Sequence, residues 1–419
     1  MPHVVVIGAG IVGAATAVEL LRDGHRVTIL EPGDPGGEKA ASYGNGTLLN
    51  PSSIIPMSAP GIWRKVPGWL ADPRGPLAVR WRHLPRAMPW LLRYLASGWT
   101  EERLQRTADA LRTLLRDAPS LHRQLAIEAN VPHLIEQRGL LHVYRSRAEF
   151  ESEALGWRVR ARTGVQWEEW DAAALRAREP DLNPRYAFGI FVAEAGSCRD
   201  PGAYVAALAR HARSSGASVV RARAESFRVE DGRLRAVLTP DGEIPCDAAA
   251  ICAGARSVGL AASVGSAVPL ESERGYHVQV RGATRGPRTP MMAADGKLIA
   301  HWMDGRLRAG GQVEIAGLRA PADWRRADIL YAHLRTMFDD LPATAESGRV
   351  ERWLGHRPST PDGLPCIGPA AATPDVVLAF GHGHVGLTGS ARTGQWAARW
   401  LSGTQPSDWT SSFSPARFA

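Results

Sequence analysis

Apolar and polar positions alternate with two different periods along the chain, and the change from one to the other sets out its elements. Val4–Ile7 is a continuous apolar run of strand length. Gly8, Gly10 and Gly13 follow as a G-x-G-x-x-G turn, and from Ile11 onward apolar residues recur at helical spacing, with Ala14, Val18 and Leu21 on one face. Gly24 marks the helix end, and His25–Leu30 supplies a second strand that ends on Glu31. Further on, a helical period through Leu104, Ala108, Leu111 and Leu115 is interrupted by Pro119, and Gly139–Ser146 alternates as a strand. Leu175–Pro184 reads as a helix end and loop. A helix opens at Arg199-Asp200-Pro201, an alternating pair of strands turns at Asp231-Gly232, and Asp247–Ala255 is a buried strand that ends in small residues. Glu273–Val280, the KLIAHWM stretch and RLRAGGQVEIAG are strands again. The last part holds a strand at DVVLAFG, a second glycine-rich turn and a long helix.

This order predicts α/β and α+β architecture: a Rossmann-like dinucleotide-binding domain interleaved with a substrate domain built on a mixed or antiparallel sheet. The predicted segments are 1–80, 186–265 and 349–419 for the dinucleotide domain, and 81–185 and 266–348 for the substrate domain.

The strand, turn, helix and terminal acid at the N-terminus have a shared chemistry. Gly8 permits the tight turn, Gly10 admits a pyrophosphate, Gly13 allows strand and helix to approach, and the N–H groups around Ile11 and Val12 face the phosphates. Glu31 is placed to accept hydrogen bonds from an adenosine ribose, and its charge disfavours a 2'-phosphate. In the loop Ala41–Leu49, Ser42, Asn45 and Gly46 can approach phosphate or flavin closely. Ala253 and Gly254 end the buried strand beside the same ligand.

Composition narrows the class. Hydrophobic content of 44% and charged content of 22% are those of a globular protein. No apolar run reaches the roughly 18 residues of a membrane span. Cys198, Cys246, Cys252 and Cys366 are scattered, as in a reducing cytoplasm, and no signal peptide is read at the N-terminus. The net charge of +8 is spread along the chain, which argues against nucleic acid as a partner. The stretch 81–99 interleaves arginines with Trp81, Trp90, Leu91, Leu92 and Tyr94. It reads either as a surface element lying on the inner membrane or as a buried, proline-broken helix pair.

In the order GAGIVG with Glu31, ASYGNG, RDPGAYVAAL, AICAGA, ERGYH, HRPSTPDGLPCIG and GHGHVGLTGS, nearly the whole chain resembles the D-amino-acid oxidase-like flavoproteins, and among them the bacterial D-amino-acid dehydrogenases. The resemblance implies FAD rather than NAD. It places Gly383, Val385, Gly386, Leu387 and Thr388 against the flavin, with their N–H groups toward the ring edge where negative charge develops on reduction. Gly355 stands where some relatives carry a flavin-linking cysteine, which implies non-covalent FAD. Arg357 resembles the arginine that clamps a substrate carboxylate, Tyr276 the tyrosine that closes over it, and Tyr43 and His301 are expected in the same pocket. His384 is a candidate acceptor of the amine proton. His382 and His384 have H-x-H spacing but no neighbouring third ligand, so no metal is expected. The implied reaction is oxidation of a D-amino acid, a cyclic D-proline derivative included, with electrons passed to a quinone or another acceptor. The competing readings are an oxygen-using glycine or sarcosine oxidase and a non-catalytic dinucleotide-binding protein.

Overall fold

The computed structural model describes residues 1–303, 305–339, 341–342 and 348–419. Their first layer is a six-stranded sheet in the order Ser218–Val220, Arg26–Leu30, His3–Ile7, Ala248–Ile251, Val376–Phe380 and Cys366–Pro369. The first five strands run parallel and the last is antiparallel. A parallel sheet must be covered on both faces, and its central strands are accordingly buried and, His3 apart, apolar. Helices Ile11–Arg22, Pro201–Ser214 and Gly386–Leu401 cover one face. The first and last of these cross closely, because Gly394 lies where a Cβ would stand 2.9 Å from the Ala15 backbone. Gly24 takes a left-handed φ of 83° at the end of the first helix, as a helix-terminating glycine does.

The second layer is a nine-stranded mixed sheet. Its main path runs Val350–Ser359, Glu271–Arg281, Arg306–Ile315, Leu298–Met303, Met291–Ala293, Leu140–Tyr144, Phe188–Val192 and Glu168–Asp171, and Leu77–Val79 pairs with the 306–315 strand. Helix Arg325–Met337 packs on it through Leu330, Tyr331 and Leu334. Strands Phe188–Val192 and Val350–Ser359 fall within segments expected to belong wholly to the dinucleotide domain. They join the large sheet because 188–192 returns antiparallel to 140–144 and 350–359 pairs along its length with 271–281. A separate three-stranded meander spans Ser226–Pro245. Its first turn holds Asp231 and Gly232 both at positive φ, the geometry that matches strand twist in a two-residue hairpin.

The stretch 57–99 holds helices Ile62–Ala71 and Leu84–Ser97 about the strand Leu77–Val79, and packs on the larger sheet through Ala87, Val313 and Ile315. Trp90 is buried and donates its indole N–H to the Ser359 carbonyl at 2.9 Å, with Tyr94 stacked on it at 5.0 Å. Trp81 and Leu92 on the same stretch are exposed. The segment thus has a buried face that carries Trp90 and an exposed face that carries Trp81 and Leu92. Pro119, read as a helix stop, lies in the first turn of the helix Ala118–Glu128, where its missing N–H has no partner to lose.

Candidate active site

A cavity of about 2380 Å³ runs between the layers, beginning at the N-terminal glycine turn. Gly8 adopts a φ of 102°, and a Cβ there would stand 2.7 Å from the Cys252 carbonyl. A Cβ on Gly13 would overlap the Gly8 carbonyl. Both positions therefore require glycine. The 11–22 helix has no side-chain cap, and the Ser42 hydroxyl approaches the Ile11 N–H at 3.4 Å. That leaves a helix N-terminus directed at the cavity, a ready site for a pyrophosphate. Glu31 accepts hydrogen bonds from Ala9 N at 2.8 Å and Gly33 N at 2.9 Å, which fixes its carboxylate at the cavity wall. Ala253 and Gly254 line the wall opposite.

A second helix N-terminus enters the same cavity. Gly383–Val385 forms a short 3-10 turn with Gly383 at a φ of 51°, and the 386–401 helix starts immediately after it. Gly386, Leu387 and Thr388 line the cavity, while the Thr388 hydroxyl donates to the Leu48 carbonyl at 3.1 Å. Two helix dipoles thus converge on one elongated space, as a ligand with a pyrophosphate at one end and a reducible ring at the other requires.

Beside this second turn the strands 271–281 and 350–359 carry the charged part of the site. Their register sets Glu273 opposite Arg357, Gly275 opposite Gly355 and His277 opposite Trp353, so these six residues share one face of the sheet. Arg357 donates to the Gln312 carbonyl at 3.0 Å and the Gly311 carbonyl at 3.4 Å, and its guanidinium lines the cavity. Burial lowers its pKa, against the opposing pull of the Glu273 carboxylate. Glu273 is buried, accepts from Ser359 Oγ at 2.7 Å and lies 3.0 Å from His384 Nε2. Burial alone would raise its carboxyl. The hydrogen bonds from His384 and Ser359, with the charges of His384 and Arg357, outweigh burial and hold it below the ordinary carboxylate value. Trp353 lies across Gly355, occupies the space above Gly44 and stacks on His277 at 5.1 Å.

Of the expected pocket members, Tyr276 lines the cavity from the other face of its strand, and His301 and Tyr43 lie off the cavity. Tyr276 is on the face opposite Arg357, because successive strand residues alternate. Its hydroxyl donates to Glu314 at 2.5 Å and accepts from Asp323 N at 3.0 Å, within a cluster that includes the buried Arg274–Glu314 pair at 3.1 Å. His301 is buried against Thr47 at 2.7 Å, with its pKa pushed down to about 3 by burial and then by nearby arginines. Tyr43 turns toward Trp353 and Gly202. Neither His301 nor Tyr43 lines the cavity. Asn45 does line it, but its side-chain carbonyl accepts from Thr47 N at 2.9 Å and shapes its own loop; neighbouring Gly46 leaves room for Ile299. The H-x-H pair is divided, since His382 bonds Thr393 at 2.9 Å while His384 turns to Glu273. Among the described residues no group of three potential ligands could hold a metal ion. Glu273 and Ser359 were not singled out from the sequence. Their only signal was position, since Glu273 stands two residues before Gly275 in a strand that also carries Glu271, Arg274 and Arg281.

A family model described as FAD dependent oxidoreductase (DAO) matches residues 3–400. The chain belongs to the DAO family of FAD-dependent oxidoreductases. A protein of Bradyrhizobium diazoefficiens named D-amino-acid oxidase is 58% identical to it over 99% of both chains. The D-amino acid dehydrogenase 2 of Ralstonia nicotianae is 32% identical over 92% of this chain and 93% of its own. Among solved structures, glycine oxidase from Geobacillus kaustophilus superposes with a TM-score of 0.76 at 22% identity, covering 100% of this chain and 99% of its own. L-proline dehydrogenase from P. horikoshii superposes with a TM-score of 0.75 at 17% identity, covering 100% and 97%. The cofactor is FAD, and the cavity fits it: the N-terminus of the 11–22 helix would hold the pyrophosphate, Glu31 the ribose and the 383–388 turn the ring. The flavin accepts the electrons, so the protein supplies binding, orientation and electrostatics.

Proposed function

We propose that this DAO-family enzyme oxidises the Cα–N bond of a D-amino acid, with the substrate carboxylate held by Arg357 and the resulting imine hydrolysed by water to a 2-oxo acid and ammonia. The observation that carries this reading is the Arg357 guanidinium. It is oriented by two backbone carbonyls and faces the cavity a few residues in space from the flavin turn, which suits fork-like recognition of a carboxylate. The D configuration rests on the names of the relatives from Bradyrhizobium diazoefficiens and Ralstonia nicotianae. The fold does not carry it, since a protein named L-proline dehydrogenase shares the fold. A cyclic D-proline derivative would react in the same way and stop at the cyclic imine. His384 is the proposed acceptor of the ammonium proton. With Gly355 at the position of the linking cysteine, the FAD is proposed to be non-covalent.

For the electron acceptor, the 58% identity to a protein named oxidase favours molecular oxygen, with hydrogen peroxide as product. A quinone remains the second reading, favoured by the stretch 57–99. There Trp63, Leu70, Trp81 and Leu92 are exposed in a stretch that carries six arginines and, as its single acid, Asp72. Such a surface suits peripheral contact with the cytoplasmic face of an inner membrane, where a quinone dissolves. No helix among the described residues is long and apolar enough to cross a membrane. The deciding experiment is an anaerobic screen of D- and L-amino acids for bleaching of the flavin, followed by aerobic turnover. Stoichiometric peroxide without added dye supports the oxidase, and bleaching by L-amino acids alone overturns the stereochemical assignment. Arg357→Ala is expected to keep FAD and lose about a hundredfold or more in kcat/KM.

A further inference from the structure

The Glu273 carboxylate lines the site and, among the described residues, forms no ion pair with an arginine or lysine within 4.0 Å. Its cross-strand neighbour Arg357 spends its contacts on the Gln312 and Gly311 carbonyls instead. Burying a carboxylate is costly, and a glutamine of the same shape would avoid the charge, so the charge itself calls for a role. Two donors converge on one oxygen, Oε2: the Ser359 hydroxyl at 2.7 Å and the His384 imidazole Nε2 at 3.0 Å. The flavin turn is pinned here as well, because His382 forms an isolated bridge to Ser359. Since an ionised carboxylate only accepts, Nε2 donates its proton toward Glu273, and the ring's other nitrogen, Nδ1, is turned away from the carboxylate. His384 is partly exposed to the cavity that Arg357 lines.

We propose that Glu273 is the positioning residue for the amine side of the reaction: it fixes the tautomer and direction of His384 so that Nδ1 takes the ammonium proton of an amino acid whose carboxylate lies on Arg357. The inference rests on the amino-acid reading above. In the step, the N–H bond of the ammonium breaks, its electron pair stays on the nitrogen, and the proton bonds to Nδ1. The imidazolium that forms is stabilised by the Glu273 carboxylate, and the substrate is left with the neutral amine that can be oxidised. No co-reactant is needed. The charged and titratable groups around the pair are Arg357 on the neighbouring strand and Tyr94 on the 84–97 helix, whose hydroxyl is raised by burial and by the Glu273 charge. The carboxylate of an amino acid would meet Arg357 and its ammonium the His384 ring that Glu273 backs, which matches the two ends of a zwitterion.

The test is Glu273→Gln in the FAD-loaded enzyme, read in two ways. At neutral pH kcat/KM is expected to fall by about tenfold to a hundredfold. Raising the pH, which supplies neutral amine directly from solution, is expected to restore the variant toward the parent rate. Binding of acetate or benzoate, followed by perturbation of the flavin spectrum, should change less than about twofold, because it depends on Arg357. A variant with neutral-pH kcat/KM within about twofold of the parent overturns the proposal. So does a loss that is equal at every pH and is accompanied by lost carboxylate binding. Should Glu273→Gln fail to fold, Ser359→Ala removes one of the two donors to the carboxylate and is judged by the same two readouts. A parent enzyme bleached by no D-amino acid refutes the underlying substrate reading; a parent that bleaches beside an unimpaired variant refutes only the role of Glu273.

Discussion

The Arg357 guanidinium occupies the space that a side chain on Gly275 would need: a Cβ built on Gly275 falls within the volume of Arg357 Cζ and both terminal nitrogens. The two residues lie on adjacent strands, with Gly275 paired to Gly355 two positions before Arg357. The absent side chain is what lets the arginine lie flat against the sheet and reach the Gln312 and Gly311 carbonyls.

Gly275→Ala is therefore a functional rather than a structural lesion. The clashing atoms are the far end of a flexible side chain, so the strand can keep its place while the guanidinium swings away. Displacing a carboxylate clamp by an ångström or more costs about a hundredfold in rate. The variant should purify yellow, melt near the parent temperature and lose carboxylate binding in a flavin-perturbation titration. Unchanged acetate or benzoate affinity would show that Arg357 is not the clamp.

Gly13→Ala has the opposite character. Here the added methyl meets the Gly8 carbonyl, a backbone atom in a turn that is itself pinned against Cys252. Neither side can yield without opening the strand-to-helix turn, and overpacking of this kind costs about 3 kcal/mol or more. Loss of FAD on gel filtration with a lowered melting temperature is the expected result. Full flavin content at the parent stability would contradict the close approach.

These two glycines also show what the sequence could and could not reveal. Gly13 belongs to a local pattern, in which turn, helix and acid follow within thirty residues, so its role was legible from spacing alone. Gly275 acts on Arg357 across a strand pairing, and no local period reports which strands pair. The same limit explains Tyr276. A tyrosine in ERGYH resembles the expected substrate residue, but strand alternation turns it toward Glu314, while its neighbours Gly275 and His277 share the face of Arg357. Glu273 went unnoticed because an acid in a strand has no distinctive spacing, and its meaning comes only from His384, 111 residues away. Strands 188–192 and 350–359 join the larger sheet for a related reason, since their apolar or mixed patterns suit either sheet and only the pairing decides.

The protein is expected to lose stability in mild acid through its buried histidines. Burial lowers His122 to about 4 and His142, His277, His301 and His382 to about 3, the arginines near His142, His277 and His301 adding to the effect. In the unfolded chain each would titrate near about 6.5, so below that pH the unfolded state binds more protons. The stability is full above about pH 6.5 and is lost as pH falls toward 3, at about 1.4 kcal/mol per pH unit for each histidine charged only when unfolded. Glu19 and Glu179, raised by burial, act in the opposite sense but are fewer. Thermal unfolding followed between pH 7.5 and about 4.5 should show a steep fall in Tm below pH 6.5. A flat profile would mean that these side chains are not held neutral in the fold.

Trp81 is 84% exposed, and Leu92, on the neighbouring 84–97 helix, is exposed with it, while the buried side of the same segment is tied to the active site through Trp90 and the Ser359 carbonyl. A contact with lipid on the outer side would then leave the inner anchor in place. Apolar side chains entering the headgroup boundary would supply part of the binding, and each basic residue near an anionic surface would add about 1 kcal/mol. The enzyme should co-sediment with vesicles containing phosphatidylserine or phosphatidylglycerol, less with neutral phosphatidylcholine, and progressively less as salt rises above about 0.1 M, where the screening length falls below about 10 Å. The double variant Trp81→Ser, Leu92→Ser should weaken the association at low salt while remaining folded at the parent melting temperature, because both side chains are exposed. Vesicle binding that is absent in the parent, or unaltered in the double variant, would remove this surface as a membrane contact and with it the physical support for a membrane quinone as acceptor.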